Sequence, residues 1–422
     1  MAFIGSSTRV SALTLLYAIG SLFVGSSSAL PNNTVTINPL SYNVYGSNAV
    51  FRNNTFANLF NPTNTTAPFF QVFDPSFLTV LGDSPSFRVI ASNPGFAFAH
   101  EAPIWVPSTQ ELFFASAAGS PSGFSDINHN NQVAKISLND VTTAIAQSSN
   151  ATAPVNVTVT TLDLPDTVQM TNAGTGPYNG SLLLVNSGRG PLPPNLVLVD
   201  PANPQNATVI LDNFFGRQFN SLHNAKIHPT SGNIFFTDVA YGWLNHFRPL
   251  PLLPNQLYRF DPNSGSVRAV ADGFVLPNGL AFSQDGSTVF VSDSGMAGGF
   301  IGNNQTGPAT IYAFDVDPQT ESFGNKRVFS YIDGGVPHGL QLDTAGNLYA
   351  GTGDGVEVWN SQGTLIGKFF LGSSSSEMLF IGNGRLIILA ETKIYMVSLA
   401  AEGLDVDYPQ GSSSDSQDPS GC

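Results

Sequence analysis

Four side chains suited to metal binding or proton transfer occur at the same point of a repeated sequence pattern. They are Glu101, His223, Asn278 and His338, and each precedes an apolar stretch, a turn and a second apolar stretch that starts ten or eleven residues later. Two further repeats carry other polar residues at this position, namely Asn172 and Ser376. If each repeat is a hairpin and six hairpins close into a ring, all six polar groups meet at one place.

A carboxylate, an amide oxygen and two imidazoles form a credible ligand set for one divalent metal cation, with room left for water and substrate. An unpaired Glu101 would be costly to bury in the apolar segment 96–105, which favours a ligand or catalytic role. Asn278 could instead fix a turn, and His223 and His338 could be hydrogen-bonded channel histidines. If His338 does not bind metal, its ordinary pKa makes it the best candidate for a general base.

Other polar residues are candidates for substrate contacts or for structural roles. Asn172 and Ser376 are expected to pack in the channel or to touch substrate. Strand alternation places His100 and Asn224 on the opposite face from their neighbours, which predicts supporting roles, although Asn224 also remains a candidate substrate contact. Solvated surface positions are expected for three histidines in turns or loops: His129, His228 and His246.

An insertion at residues 239–255 follows the second strand of the His223 repeat and is rich in aromatic residues and proline. Tyr241, Trp243 and Arg248 could form one wall of a substrate pocket, with Arg248 binding a hydroxyl or carboxylate group. The insertion could be a lid over the site or a packed cover on the rim.

The repeats have the composition of β-strands joined by tight turns. Turns such as Ser283-Gln-Asp-Gly286 separate segments rich in Phe, Val, Ile and Leu, and no long stretch shows a persuasive period of 3.6 residues. A third apolar strand follows in several repeats, and a fourth follows in one. Four strands per repeat predict an all-β fold, a six-bladed β-propeller with an N-terminal extension.

The ends of the chain differ in composition from the repeats. Residues 1–30 combine Arg9, an apolar run and small residues, which predicts a signal peptide and an extracellular, secreted protein. Residues 31–68 are expected to be a glycosylated N-terminal lead, residues 69–402 the propeller, and residues 403–422 a disordered tail. Eight N-glycosylation sequons agree with secretion: Asn32, Asn53, Asn64, Asn150, Asn156, Asn179, Asn206 and Asn304.

The net charge limits the possible partners, and the single cysteine limits the possible sources of stability. The 29 acidic and 15 basic residues give a formal net charge of -14, which argues against nucleic acid as a partner. No later segment is long and apolar enough to suggest a membrane partner. The single cysteine, Cys422, allows no intramolecular disulfide, so stability must come from a large core. A monomer or a simple homo-oligomer is expected.

Several segments together resemble the family of senescence marker protein, gluconolactonase and luciferin-regenerating enzyme, most closely its secreted fungal lactonohydrolase branch. The similarity runs from about residue 69 to residue 399. It is carried by Phe98-Ala-His-Glu-Ala-Pro-Ile-Trp105, Leu276-Pro-Asn-Gly-Leu280 and residues 219–224, 228–238, 247–261 and 388–395. The resemblance implies a six-bladed propeller, a divalent cation at the channel mouth, often calcium, and hydrolysis of sugar or related lactones.

The resemblance also implies a set of cation ligands, which this chain matches only in part. Glu101 and Asn278 stand where the family has Glu and Asn. His223 replaces an expected Asn, Asn224 the Asp that follows it, and His338 the Asp of a Pro-Asp-Gly turn. Because calcium prefers oxygen ligands, His223 and His338 suggest zinc or another transition metal.

The first hypothesis is a metal-dependent, gluconolactonase-like lactonohydrolase, a carboxylic ester hydrolase that opens a small lactone by attack of metal-activated water. An alternative is a propeller enzyme of specialised metabolism that cyclises, rearranges or oxidises its substrate at a His-containing metal site. A third hypothesis is a non-catalytic, ligand-binding propeller.

Overall fold

The computed structural model describes residues 30–404, except residues 55, 57, 58 and 151. Contacts divide the chain into Met1–Leu30 and Pro31–Cys422, and the fold lies in the second unit. Apart from residue 30, the segment expected to be a signal peptide lies outside the described residues, as does the tail from residue 405 onward.

The predicted six-bladed β-propeller is confirmed: six antiparallel sheets of four strands follow one another around a ring, each sheet ordered from its innermost strand outward. Blade 1 contains Glu101–Val106, Glu111–Ala115, Val133–Ser137 and Thr160–Thr161; blade 2 contains Thr171–Tyr178, Ser181–Asn186, Asn195–Val199 and Ala207–Leu211; blade 3 contains Leu222–Ile227, Ile234–Asp238, Gln256–Phe260 and Val267–Ala271. Blade 4 contains Pro277–Phe282, Thr288–Asp293, Thr310–Val316 and Phe323–Tyr331; blade 5 contains Leu340–Leu342, Leu348–Thr352, Gly355–Trp359 and Leu365–Phe370; blade 6 contains Glu377–Phe380, Arg385–Ala390, Lys393–Ser398 and Ser86–Ser92.

The ring is closed by strands from both sides of the repeat region. Ser86–Ser92 pairs with Lys393–Ser398 as the outer strand of blade 6. Phe69–Val72 adds a fifth strand to blade 5, and Thr34–Thr36 pairs with it in parallel as a sixth. A short separate hairpin joins Asn213–Phe214 to Arg217–Gln218.

The core lies between neighbouring blades, where apolar side chains of facing sheets interlock. Between blades 1 and 2, Ile104 and Phe113 pack with Leu182, Leu184 and Val197, and all five are buried. Truncating one of the large side chains at such an interface costs about 3–5 kcal/mol, because the surrounding sheets cannot fully collapse around the void.

Irregularities in the innermost strands correct one prediction. In blades 1 to 4 the pairing register shifts near the polar residue; in blade 3 the shift lies between Leu222 and Ala225. A β-bulge interrupts side-chain alternation, so consecutive residues need not face opposite sides. The expectation that Asn224 points away from the channel is therefore wrong, because its side chain reaches Glu377 of blade 6.

The helices between residues 30 and 404 are short. In this described range the α-helices are Phe77–Leu81, Leu138–Gln147 and Tyr241–Leu244, and the 3₁₀-helices are Pro39–Tyr42, Pro121–Gly123 and Gly299–Ile301. The ten-residue helix was not predicted; Ser137 Oγ accepts a hydrogen bond from Asp140 N at its start, and Leu138 and Val141 anchor it in the core. Across the described part of the chain, every helix is too short or too polar to cross a bilayer.

Candidate functional site

The polar residues of the repeats lie at equivalent places, where each innermost strand begins. Glu101 starts the first strand of blade 1, and Ser376 immediately precedes that of blade 6. Asn172, His223 and Asn278 each occupy the second position of their strand, and Asn172 is buried there in blade 2.

His338 lies two residues before the first strand of blade 5, and blade 4 holds its main chain. Ser292 Oγ donates a 2.7 Å hydrogen bond to the carbonyl of His338, and Ser294 Oγ donates one of 2.6 Å to that of Pro337. Gly279 allows this close approach, because a Cβ there would collide with the His338 carbonyl. The Asn278-Gly279 pair therefore places Asn278 in the site and also makes room for the segment that carries His338.

His223 is buried beside Tyr241, whose ring centroid lies 5.0 Å from the imidazole centroid. The Tyr241 hydroxyl shares hydrogen bonds with the side chains of Ser294 and Asn278. Burial raises the pKa of Tyr241 well above its ordinary value despite these hydrogen bonds, so the phenol stays protonated. Tyr241 thus connects blades 3 and 4 within the site.

Both imidazoles of the predicted ligand set are neutral. Burial lowers the pKa of His338 to about 4, with a further contribution from His100. Burial, with His338 and His100 nearby, lowers the pKa of His223 well below its ordinary value. The expected near-neutral pKa of His338 is therefore not what its surroundings produce, because a charged imidazolium cannot be solvated there.

His100, for which a supporting role is expected from strand alternation, contacts two acids beside the candidate site. Its Nδ1 lies 2.8 Å from Glu391 Oε1 and its Nε2 lies 3.3 Å from Glu101 Oε1. Its ring centroid is 6.2 Å from that of His338. Burial opposes protonation of His100, but the two carboxylates outweigh it and raise the pKa of His100 well above its ordinary value. His100 thus links the predicted carboxylate of blade 1 to blade 6.

Glu101 itself is almost fully buried. Burial raises the pKa of Glu101, while the hydrogen bond and charge of His100 act in the opposite sense. A buried carboxylate in contact with an imidazole can accept or deliver a proton.

A second polar layer lies next to the site in the channel. Asn224 Nδ2 donates a 2.7 Å hydrogen bond to Glu377 Oε1. Burial, and secondarily the charge of Glu101, raises the pKa of Glu377 to about 8. Lys226 is the cation that opposes this rise, and burial in turn lowers the pKa of Lys226.

The insertion at residues 239–255 packs against the rest of the propeller. This favours the interpretation as a packed cover and disfavours the interpretation as a lid. Leu244 and Phe247 are buried, and Trp243 packs edge-on against Phe300 with ring centroids 5.2 Å apart. This position directs Trp243 toward a neighbouring segment of blade 4. Of the aromatic residues expected in a pocket wall, Tyr241 is the one that contacts His223.

Arg248 braces two blades, which disfavours the predicted substrate contact. Its guanidinium donates to the carbonyls of Gly190 and Leu192 in blade 2. At the entrance of blade 3 it donates to three further acceptors: Gln218 Oε1 and the carbonyls of Phe219 and Asn220. These bonds match its five N–H donors, so none remains for a substrate hydroxyl or carboxylate.

A surface cavity of about 570 Å³ lies at the edge of blades 1 and 6, where it reaches His100. His100 and Glu391 line it together with Phe96, Gly119 and Asn245. Arginine and lysine are absent from its lining within the described residues. This cleft therefore presents a carboxylate and an imidazole to an incoming molecule.

The side chains of the candidate site meet some of the requirements for binding a metal cation, but not all of them. His223 Nδ1 and His338 Nδ1 are buried and have no hydrogen-bond partner among the described residues, as expected of nitrogens that bind a metal. Within the same residues, however, no group of three or more His, Cys, Asp or Glu side chains is assembled to hold a metal ion. The two imidazoles are thus suitable metal ligands. Tyr241 connects Asn278 to them, because it contacts His223 and hydrogen-bonds to the side chain of Asn278.

Two residues missed by sequence reasoning are Glu391 and Glu377. Glu391 lies in a hairpin turn of blade 6, and Glu377 follows the repeated position of Ser376 by one residue. Each acid adjoins an apolar run on one side only, which follows Glu377 and precedes Glu391, so the signal is weaker than the one that identified Glu101.

Comparisons with known proteins agree with this fold. Residues 100–390 match the family model described as SMP-30/Gluconolactonase/LRE-like region. The lactonohydrolase oryL of Aspergillus oryzae is 27% identical over 348 residues, which is 75% of each chain. A gluconolactonase of Zymomonas mobilis is 31% identical over 176 residues, covering 40% of this chain and 46% of that protein.

Solved structures show the same architecture. A gluconolactonase from Xanthomonas campestris superposes with a TM-score of 0.59 at 22% identity, covering 78% of this chain and 93% of that one. A luciferin-regenerating enzyme superposes with a TM-score of 0.54 at 16% identity, covering 77% and 100%. At these identities the similarity establishes the fold alone.

Proposed function

Because this chain belongs to the SMP-30/gluconolactonase/LRE-like family, we propose that it is a secreted hydrolase that opens a small lactone with the help of one divalent cation. The observation that supports this most directly is the pair of neutral, buried imidazoles of His223 and His338, in a site shared with Glu101. Neither Nδ1 has a hydrogen-bond partner among the residues that the structure describes. The related lactonohydrolase and gluconolactonase supply the class of substrate.

Glu101, His223, Asn278 and His338 would hold the cation. When bound, a divalent cation polarises a carbonyl group and lowers the pKa of water. Because two of these residues are imidazoles, zinc or another transition metal fits better than the calcium suggested by the family resemblance and by a calcium-binding regucalcin of the same fold.

The protein's own groups would position the lactone and move protons. Glu101 Oε1 lies 3.3 Å from His100 Nε2, and this carboxylate–imidazole pair can take a proton from water and return it to the ring oxygen that leaves. Tyr241 remains a hydrogen-bond donor and fixes the side chain of Asn278. The cover formed by residues 241–248 limits access of bulk water from that side.

The test combines elemental analysis with hydrolysis of a panel of aldono- and aromatic lactones by the purified, full-length protein. We expect one equivalent of a transition metal, loss of turnover after treatment with a chelator, and recovery when the metal is returned. Glu101→Gln should lower kcat by at least about 100-fold, whereas Asp126→Asn, at an exposed position, should leave it unchanged.

Full activity in the Glu101→Gln protein, or no turnover of any lactone after metal is restored, would reject this function. Bound iron together with oxygen-dependent product formation would instead favour an oxidising enzyme of specialised metabolism.

A further inference from the structure

We propose that Glu391 is a positioning residue, which orients the imidazole of His100 where the surface cleft meets the buried carboxylate of Glu101. This inference rests on the proposed function for its kinetic test but not for its spectroscopic one. It assigns a role to a hairpin turn of blade 6, an element that lies outside the repeated polar pattern.

The first observation is the contact between the two side chains. Glu391 Oε1 lies 2.8 Å from His100 Nδ1, and Ser374 Oγ donates a 3.2 Å hydrogen bond to the same oxygen. On the other side of the ring, His100 Nε2 lies 3.3 Å from Glu101 Oε1. With Glu391 fixing one nitrogen, the other is directed at Glu101.

The second observation is the backbone of the turn. Glu391 adopts φ +60°, the left-handed conformation that glycine or asparagine accommodates best and other residues adopt at a cost. It lies between the strands Arg385–Ala390 and Lys393–Ser398. For the turn alone, glycine would be the better residue, and Glu391 occupies the position despite this cost while its carboxylate contacts His100.

The third observation connects the turn to the segment that carries His100. The backbone N–H of Ala99 donates a 3.0 Å hydrogen bond to the carbonyl of Glu391. Main chain and side chain of Glu391 thus hold adjacent residues of blade 1, which fixes both the position of His100 and the orientation of its ring.

The fourth observation is access. His100 and Glu391 both line the 570 Å³ cleft, and about a fifth of the His100 side chain is exposed, whereas only 3% of the Glu101 side chain is. His100 is therefore the group between the cleft and Glu101, and a rotated ring would disturb the approach of a substrate to this acid.

The kinetic test uses Glu391→Gly, which relieves the backbone strain and removes the side chain. We expect the thermal midpoint to stay equal or rise, while kcat falls by about 10- to 100-fold with little change in KM. Glu391→Gln should also lower kcat, because it keeps the length of the side chain but not its charge. The matched control is Gln110→Gly at φ +54° in a turn of blade 1, which should leave kcat unchanged. Wild-type kcat in Glu391→Gly would overturn the proposal.

The spectroscopic test follows the ring directly in protein labelled with ¹⁵N only at its six histidines. The His100 signal is identified by its loss in His100→Gln. It should shift in Glu391→Gly and stay in place in Gln110→Gly; an unshifted His100 signal in Glu391→Gly would overturn the proposal. If the wild-type protein opens no lactone, the proposed function fails, and this measurement still decides the role of Glu391.

Discussion

Asn224 and Glu377 meet across the propeller channel, where the Asn224 amide donates a 2.7 Å hydrogen bond to the Glu377 carboxyl group. The two residues belong to blades 3 and 6, which lie opposite each other in the ring of six. One hydrogen bond thus connects both halves of the propeller beside the candidate site. Because burial raises the pKa of Glu377 to about 8, this carboxyl group also makes stability depend on pH.

Stability should fall as the pH rises from about 4.5 to about 8. Glu377 has a pKa near 4.5 when unfolded and about 8 when folded, so between these values the folded protein binds a proton that the unfolded chain has lost. Its contribution is complete below pH 4.5 and lost as the pH rises through 8. Glu377→Gln should remove a few kcal/mol of this dependence. The measurement is urea denaturation at a series of pH values.

The control for that experiment is Glu402→Gln, a change at an exposed carboxylate. Its pH dependence of unfolding should match the wild type. An equally steep dependence in Glu377→Gln would show that Glu377 is not the titrating group.

Arg248→Lys should destabilise the protein by about 2–4 kcal/mol, because lysine cannot replace the five hydrogen bonds of the planar guanidinium. Urea denaturation measures the loss. Arg327→Lys is the matched control, since the ion pair of Arg327 with Asp315 is exposed and screened by solvent, and its loss should change stability little. The KM of the folded protein should be unchanged in both variants. A raised KM in Arg248→Lys alone would instead support the substrate contact that the sequence predicts for Arg248.

Tyr241→Phe should lower kcat/KM by about tenfold, equivalent to ~1.4 kcal/mol, with little loss of stability. The ring would still pack on His223, but Asn278 and Ser294 would lose the hydroxyl that they share. Steady-state kinetics on the best lactone measures the change, with Tyr331→Phe at an exposed position as control. Unaltered kcat/KM in Tyr241→Phe would limit this residue to packing.

The fold was predictable because propeller repeats leave a regular trace in the sequence. The constant offset from Glu101 to Leu112, and from His223 to Ile234, reflects a hairpin of fixed geometry, and each of these apolar residues does lie in a second strand. The apolar pattern of a strand lies within its own short segment, so it can be recognised without knowing which segments pack against it.

The side-chain contacts and pKa values of the site were less predictable, because they depend on segments that are distant in sequence. The channel-facing direction of Asn224 follows from a bulge, and the saturation of Arg248 follows from carbonyls of another blade. The low pKa of His338 reflects burial that only the closed ring creates. None of these has a signature in the spacing of residues along the chain.

The strand that closes blade 6 sets the order in which the protein can mature. Ser86–Ser92 emerges early from the ribosome, yet it pairs with Lys393–Ser398, about 300 residues later. Contacts this distant in sequence are slow to form, so Ser86–Ser92 stays without its partner strand until Lys393–Ser398 has been made. Because Ser376, Glu377 and Glu391 all belong to this last blade or adjoin it, the pocket gains its final acids only when synthesis of the ring is complete. Assembly of the candidate site thereby depends on completion of all six blades.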